Sequence, residues 1–366
     1  MKVLFRADAS LTIGTGHVMR CLTLARVLSG QGAEVAFACR THPGNLIAFI
    51  EAAGFRTHSL PLSARSDSEG PVHAAWLGGH WQDEAEILAG LVAETGIDWL
   101  VIDHYGLDIR FETAMAEAGA RIMVIDDLAD RRHDCRLLLD QTFGRDEADY
   151  RPLVPADARL LCGAEFALLR PEFAAAAPAS LARRRSMPEV SRILVTLGGV
   201  DAGNVTGAIL DGLAATPLPG TATIEVVLGA TAPWREAVAA RAATMPNRTL
   251  VHTNVTDMAG LMVRADLAIG AAGSTAWERC CLGLPSLMVV IADNQRYIAQ
   301  GLSQTGAAIT LGQPEEPDFA ARLRDAVTAL LESPERLLAL TEAAARITDG
   351  SGATRVARAM LEVSTP

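Results

Sequence analysis

Aromatic side chains and positive charge are what this sequence is short of. Phe, Trp and Tyr make up 5% of its 366 residues, too few to line a stacking platform for single-stranded nucleic acid. The formal net charge is −11, whereas a polynucleotide-binding protein needs Lys and Arg in excess to neutralise many phosphates. The basic run Arg183-Arg184-Arg185 is brief and reads as linker. Cys21, Cys39, Cys135, Cys162, Cys280 and Cys281 form neither a C-x-x-C pair nor zinc-type His/Cys spacing, so they read as reduced, mostly buried thiols. No apolar run approaches the ~20 residues of a membrane span. Arg6 and Asp8 interrupt the N-terminus too early for a signal-peptide core. The expectation is a soluble cytoplasmic protein with no nucleic-acid or membrane partner, and a monomer, since no coiled-coil heptad is visible.

Half of the residues are hydrophobic and 31 are glycine, a globular composition. The length exceeds what one core usually organises, so two domains are expected. In the first half, strand-like runs at Lys2–Phe5, Glu34–Cys39, Trp99–Asp103, Arg121–Asp126 and Leu137–Asp140 alternate with helical patterns at Val18–Leu28, Leu46–Ala53, Gln82–Glu94 and Ile109–Ala118. This alternation predicts an α/β fold with a parallel sheet covered on both faces and ligands beyond the strands' carboxyl ends. Residues 173–190, rich in Ala, Pro and Arg, read as linker. The pattern then restarts with strands at Ser191–Leu197, Thr223–Leu228, Thr249–His252, Leu267–Gly270 and Ser286–Ile291, and ends in helices over Phe319–Leu331, Pro334–Arg346 and Ala353–Val363. The expected organisation is a domain at 1–172, a linker, and a domain at 191–366, both Rossmann-like, doubly wound and facing one cleft.

Two loops carry chemistry. Ile13-Gly14-Thr15-Gly16-His17 joins a strand to a helix. Gly14 and Gly16 permit a tight turn with open N–H groups, and the helix start turns a partial positive charge toward an anionic ligand. That positive end favours a neutral His17 ring, as a general base requires; otherwise His17 merely caps the helix. The second loop, Ala271-Ala272-Gly273-Ser274-Thr275, offers N–H groups, hydroxyls and a helix start suited to a diphosphate. Ser274 is also placed to cap the helix, and Glu278, one turn on, to accept from a ribose diol. Asn294 and Gln295 add amides after the next strand. Asp103-His104-Tyr105 reads as a second polar wall of the site or as a plain strand end. Asp126, Asp127, Asp130 and His133 cluster as metal ligands do, but turn carboxylates countered by Arg131 and Arg132 are the preferred reading.

In combination and in order, these strings resemble the family of UDP-2,4-diacetamido-2,4,6-trideoxy-β-L-altropyranose hydrolases of pseudaminic acid synthesis. They are Arg6-Ala7-Asp8-Ala9-Ser10, Ile13 through Ala25, Ile102 through Gly106, Cys162-Gly163 with Leu169 through Phe173, Gly198 through Asp201 with Asn204, Ala272-Gly273-Ser274 with Glu278, and Asp293-Asn294-Gln295. The resemblance implies a GT-B-like arrangement, with UDP held mainly by the C-terminal domain and neither metal nor cofactor. A residue matching His17 activates water for inverting attack at the anomeric carbon. It further implies substrate contacts at Asp8, Gly14, Gly16, Tyr105, Arg170, Gly199, Asp201, Asn204, Gly273, Ser274, Glu278, Asn294 and Gln295. Tyr105 would close the sugar pocket, and Gly199, Asp201 and Asn204 would lie near the phosphates. UDP is a good leaving group once its phosphates are hydrogen-bonded, so a base without a strong general acid suffices. The rivals are a GT-B glycosyltransferase, a nucleotide-sugar epimerase and a non-catalytic nucleotide-sugar binder.

Overall fold

The computed structural model describes residues 1–63, 70–229, 232–253, 255–293 and 295–364. The chain divides into two compact units, Met1–Leu168 with the segment from Gly352 onward, and Leu169–Ser351.

Among the described residues, unit 1 carries a seven-stranded parallel sheet ordered β3-β2-β1-β4-β5-β6-β7. Its strands are β1 (Lys2–Ala7), β2 (Glu34–Arg40), β3 (Arg56–Leu60), β4 (Trp99–Asp103), β5 (Arg121–Ile125), β6 (Leu137–Asp140) and β7 (Arg159–Cys162). Alternate residues feed two cores, because successive side chains on a strand point to opposite faces. Val3, Phe5, Trp99, Val101, Met123 and Ile125 pack with the helices Gly16–Gly30 and Gly352–Ser364. Leu4, Leu100, Ile102, Ile122 and Val124 pack with Trp81–Thr95 and Ile109–Glu117. Two buried faces explain why β4 reads as a continuous apolar run.

Unit 2 repeats the plan with six described strands ordered β10-β9-β8-β11-β12-β13. They are β8 (Arg192–Thr196), β9 (Thr223–Leu228), β10 (Arg248–Thr253), β11 (Leu267–Ala271), β12 (Ser286–Val289) and β13 (Ile309–Gly312). In unit 1 the strand order reverses between β1 and β4, and in unit 2 between β8 and β11. Such switch points open a crevice at the strands' carboxyl ends, where ligands of these folds bind. The loops after β1 and β4, and those after β8 and β11, are therefore the ones to inspect.

Two expectations about organisation are corrected. Residues 173–190 are not a linker: Pro171–Ser186 is a helix that buries Phe173, Ser180 and Arg184. Its arginine run has a structural task. Arg184 donates to the Met262 and Ala265 carbonyls at 2.7 and 2.5 Å, and Arg183 to Val263 and Ala265 at 2.9 and 2.8 Å. Both therefore satisfy the carbonyl end of the helix Met258–Arg264. The second domain also does not run to the C-terminus, because the helix Gly352–Ser364 returns to unit 1. There Val356, Ala357 and Met360 pack on Val18 and Leu22. All six cysteines are free thiols, five of them buried. No helix among the described residues is long and apolar enough to cross a membrane.

Candidate active site

In unit 1 the loop after β1 folds on itself. The Ser10 hydroxyl accepts from the N–H groups of Thr12 and Ile13 at 3.1 and 2.9 Å, and the Gly14 N–H donates to the Ser10 carbonyl at 2.9 Å. Gly14 has φ +80°, a conformation that requires glycine. The expectation of open N–H groups is thus corrected for these three, which are consumed inside the loop. What the loop does is deliver Gly16 and His17 to the first turn of the helix Gly16–Gly30.

His17 is 9% exposed, and its Nδ1 lies 2.6 Å from the Asp103 Oδ1 at the carboxyl end of β4. Asp103 is buried and also accepts from Arg20 Nε and NH2, both at 2.7 Å. Burial alone would push its carboxyl up; the Arg20 guanidinium, followed by His17, overrides that and holds it well below the usual carboxylate range. Facing an ionised Asp103, His17 Nδ1 is the ring nitrogen that carries the proton, and in the neutral ring Nε2 is then the acceptor. Arg20 continues the chain to Asp127 at 3.0 Å, and Asp127 accepts from the Tyr105 hydroxyl. The Tyr105 ring stands edge-on to His17, centroids 4.7 Å apart, so the network returns to its start. Tyr105 also stacks with Trp76 at 5.8 Å, and His73 lies between 4.5 and 5.5 Å from both.

Asp8, expected to meet the substrate, is instead turned inward. It is fully buried, with Arg6 at 2.7 Å, the Arg40 N–H at 2.7 Å and His104 Nε2 at 3.3 Å. Glu84 completes this network by pairing with Arg6 and Arg40. Two cations and two anions balance one another, which is the condition for burying them. The polar side chains of the 126–133 stretch are taken up by other groups, Asp126 and Asp130 sharing Arg131. Asp126 takes Arg131 at 2.7 Å and the Tyr150 hydroxyl at 2.8 Å, Asp130 takes Arg131 at 3.0 Å, and His133 pairs with Glu112 at 2.8 Å. Among the described residues no three His, Cys, Asp or Glu side chains are grouped to hold a metal.

In unit 2 the loop after β8 contains Asp201 and Asn204, both at positive φ, +45° and +52°. Asp201 is buried and accepts from the N–H groups of Val205 and Thr206 at 2.9 and 3.0 Å, so it caps the helix Val205–Ala214 rather than facing a phosphate. Gly199 is exposed on the same loop. After β11, Ser274 has φ −56° and ψ −27° and caps nothing among the described residues. A cap needs extended backbone, and Ser274 is already helical, so the expected cap is not formed and the residue stands exposed. Gln295 Oε1 accepts from the Ile291 N–H at 3.1 Å, which aims Nε2 toward Gly273, 3.8 Å from where a Cβ would lie. Arg170 and Glu278 are brought together at 3.6 Å, with Glu172 on the other side of Arg170 at 3.0 Å. Burial pushes the Glu278 carboxyl up to about 7 against the pull of Arg170. Asn294 lies outside the described residues.

Sequence reading named Asp103 as part of a second polar wall or as a plain strand end, but paired neither it nor Arg20 with His17. Arg20 sits three residues on, the spacing that shares a helix face, and this was the one available signal. Asp103 and Asp127 were separable from ordinary strand-end carboxylates only once the strand order was known.

Comparison with known proteins accords with this geometry. Residues 193–356 match the glycosyltransferase family 28 C-terminal domain. The chain is 28% identical over 307 residues to the UDP-2,4-diacetamido-2,4,6-trideoxy-β-L-altropyranose hydrolase of Campylobacter jejuni, covering 84% of this chain and 97% of the relative. It is 25% identical over 360 residues to the spore coat polysaccharide biosynthesis protein SpsG of Bacillus subtilis, covering 96% and 95%. Among solved structures, MurG of Acinetobacter baumannii superposes with a TM-score of 0.70 at 18% identity, covering 99% of each chain. With two switch-point sheets and a match to that domain in its second half, the chain has the GT-B fold and is similar over most of its length to the UDP-2,4-diacetamido-2,4,6-trideoxy-β-L-altropyranose hydrolase.

Proposed function

We propose that the chain is a UDP-sugar hydrolase acting on UDP-2,4-diacetamido-2,4,6-trideoxy-β-L-altropyranose or a close diacetamido relative. His17 Nε2 takes a proton from water as the water oxygen bonds to the anomeric carbon. The bond from that carbon to the β-phosphate oxygen breaks, its electron pair leaves with UDP, and the sugar is released with inversion. Asp103 and Arg20 hold the base in its tautomer and orientation. In unit 2 the loops at Gly199–Asn204 and Gly273–Ser274 would take the diphosphate, Glu278 the ribose, and Gln295 with Asn294 a polar part of the substrate. Arg170 would set the charge of Glu278. General-base assistance is worth ~10²–10⁴-fold, so positioning and hydrogen bonding at the diphosphate must supply the larger share.

The observation that supports this reading best is the 2.6 Å His17–Asp103 pair at the unit 1 switch point, an arrangement superfluous in a pure binder. The glycosyltransferase family 28 match favours a second reading, in which the same base deprotonates an acceptor hydroxyl. Turnover of the UDP-sugar by chelator-treated protein in ¹⁸O-water separates the two. Labelled free sugar with unlabelled UDP supports the hydrolase. Turnover only with an added acceptor moves the assignment to a transferase, and label in the phosphate refutes attack at carbon.

A further inference from the structure

Arg279 is 1% exposed and has no carboxylate in salt-bridge contact among the described residues. Its side chain reaches back from the helix Thr275–Cys281 beneath the loop that starts that helix. NH2 donates to the Ala271 carbonyl at 2.8 Å and NH1 to the Thr275 hydroxyl at 3.2 Å, while Nε has no partner among the described residues. Room for the guanidinium comes from Gly270: a Cβ there would lie 2.7 Å from Arg279 NH1 and 2.7 Å from the Thr196 carbonyl. The charge therefore sits at the carboxyl ends of β8 and β11, at the unit 2 switch point.

A buried guanidinium without a counter-ion is costly, and proteins bury charge where it is paired. Here the carboxyl acting on Arg279 is Glu278, which also faces Arg170. Arg170 has Glu172 at 3.0 Å and Glu278 at 3.6 Å, whereas Arg279 has no carboxylate in contact among the described residues, so its charge is the one left without a direct counter-ion. We infer that Arg279 is the positioning residue of the 271–275 loop and supplies the fixed positive charge that an incoming diphosphate neutralises. The inference rests on the nucleotide-sugar reading above and adds to it which residue recognises the diphosphate as an anion. Neutral and charged parts of the ligand should then respond differently to its removal.

The test is calorimetric binding of UDP and of uridine to the full chain and to its Arg279→Met and Arg279→Lys variants. Arg279→Met should weaken UDP by about 10- to 100-fold, the worth of a hydrogen bond or contact to a charged group. Uridine should be unchanged, and Arg279→Lys should recover part of the loss. Equal weakening of both ligands would reduce Arg279 to a loop prop and overturn the inference, as would unchanged UDP affinity. If Arg279→Met does not fold, the unsubstituted protein decides: pyrophosphate alone, at tenfold over its Kd, should raise Tm by about 2 °C. No response to pyrophosphate from a protein that binds UDP would sink the charge-matching role alone. A protein that binds no UDP would sink the nucleotide reading and this inference together.

Discussion

His17 Nδ1 and Asp103 Oδ1 meet at 2.6 Å across 86 positions of sequence, one from the loop after β1 and the other from the end of β4. Because Asp103 is held ionised by Arg20, its replacement by Asn keeps the shape and removes the charge that fixes the ring. Asp103→Asn should lower kcat by ~10²–10⁴-fold and leave UDP affinity within about twofold, since the nucleotide loops belong to the other unit. It should also lower Tm, because Arg20 loses a buried partner. Steady-state kinetics beside calorimetry decide; a drop in UDP affinity as large as the drop in kcat would count against a positioning role.

His17→Ala should slow turnover by ~10²–10⁴-fold with UDP binding nearly intact. Turnover unchanged from that of the unsubstituted protein would overturn the assignment of His17 as the base.

Glu278 links pH to both stability and binding. Its carboxyl is raised by burial to about 7 in the folded chain, from 4.5 when unfolded. Between those values the folded state holds a proton that the unfolded chain gives up, so stability falls as pH rises from about 4.5 through 7. The loss levels off near ~3 kcal/mol. Glu278→Gln should flatten this slope in urea denaturation from pH 5 to 7.5. Acceptance of a ribose diol by the carboxylate requires that proton to leave. UDP binding at pH 6 should therefore release protons, seen as a binding enthalpy that depends on the buffer; an identical enthalpy in phosphate and Tris would contradict the assignment.

Asp201 accepts two helix-start N–H groups. Asp201→Ala should cost about 1–2 kcal/mol of stability, read from the denaturation midpoint. An unchanged midpoint with lost UDP affinity would instead restore Asp201 as a direct ligand contact.

The fold was legible where strands are buried on both faces. The three strands that sequence reading overlooked, β3, β7 and β13, are edge strands. β3 reads Arg-Thr-His-Ser-Leu, apolar only at its end, while β7 and β13 are four residues each, so none shows the apolar run that marks a central strand. The turn at Gly14 and the helix start at His17 were legible, since turn geometry and helix starts are local. The pairing of Asp103 with His17 and of Asp127 with Arg20, and the place of Arg279, were not, because they depend on which strands adjoin. The alanine-rich stretch after Phe173 was misread as linker because its arginines do their work on the carbonyls of a helix some 80 positions away.

The return of Gly352–Ser364 to unit 1 makes unit 2 an insertion within it. During synthesis, the contiguous 169–351 segment can complete its fold while unit 1 still lacks the helix that covers Val18 and Leu22. The helix Gly16–Gly30 is thus the last to gain its full packing, and a nascent chain interrupted before residue 352 would present that apolar face to chaperones.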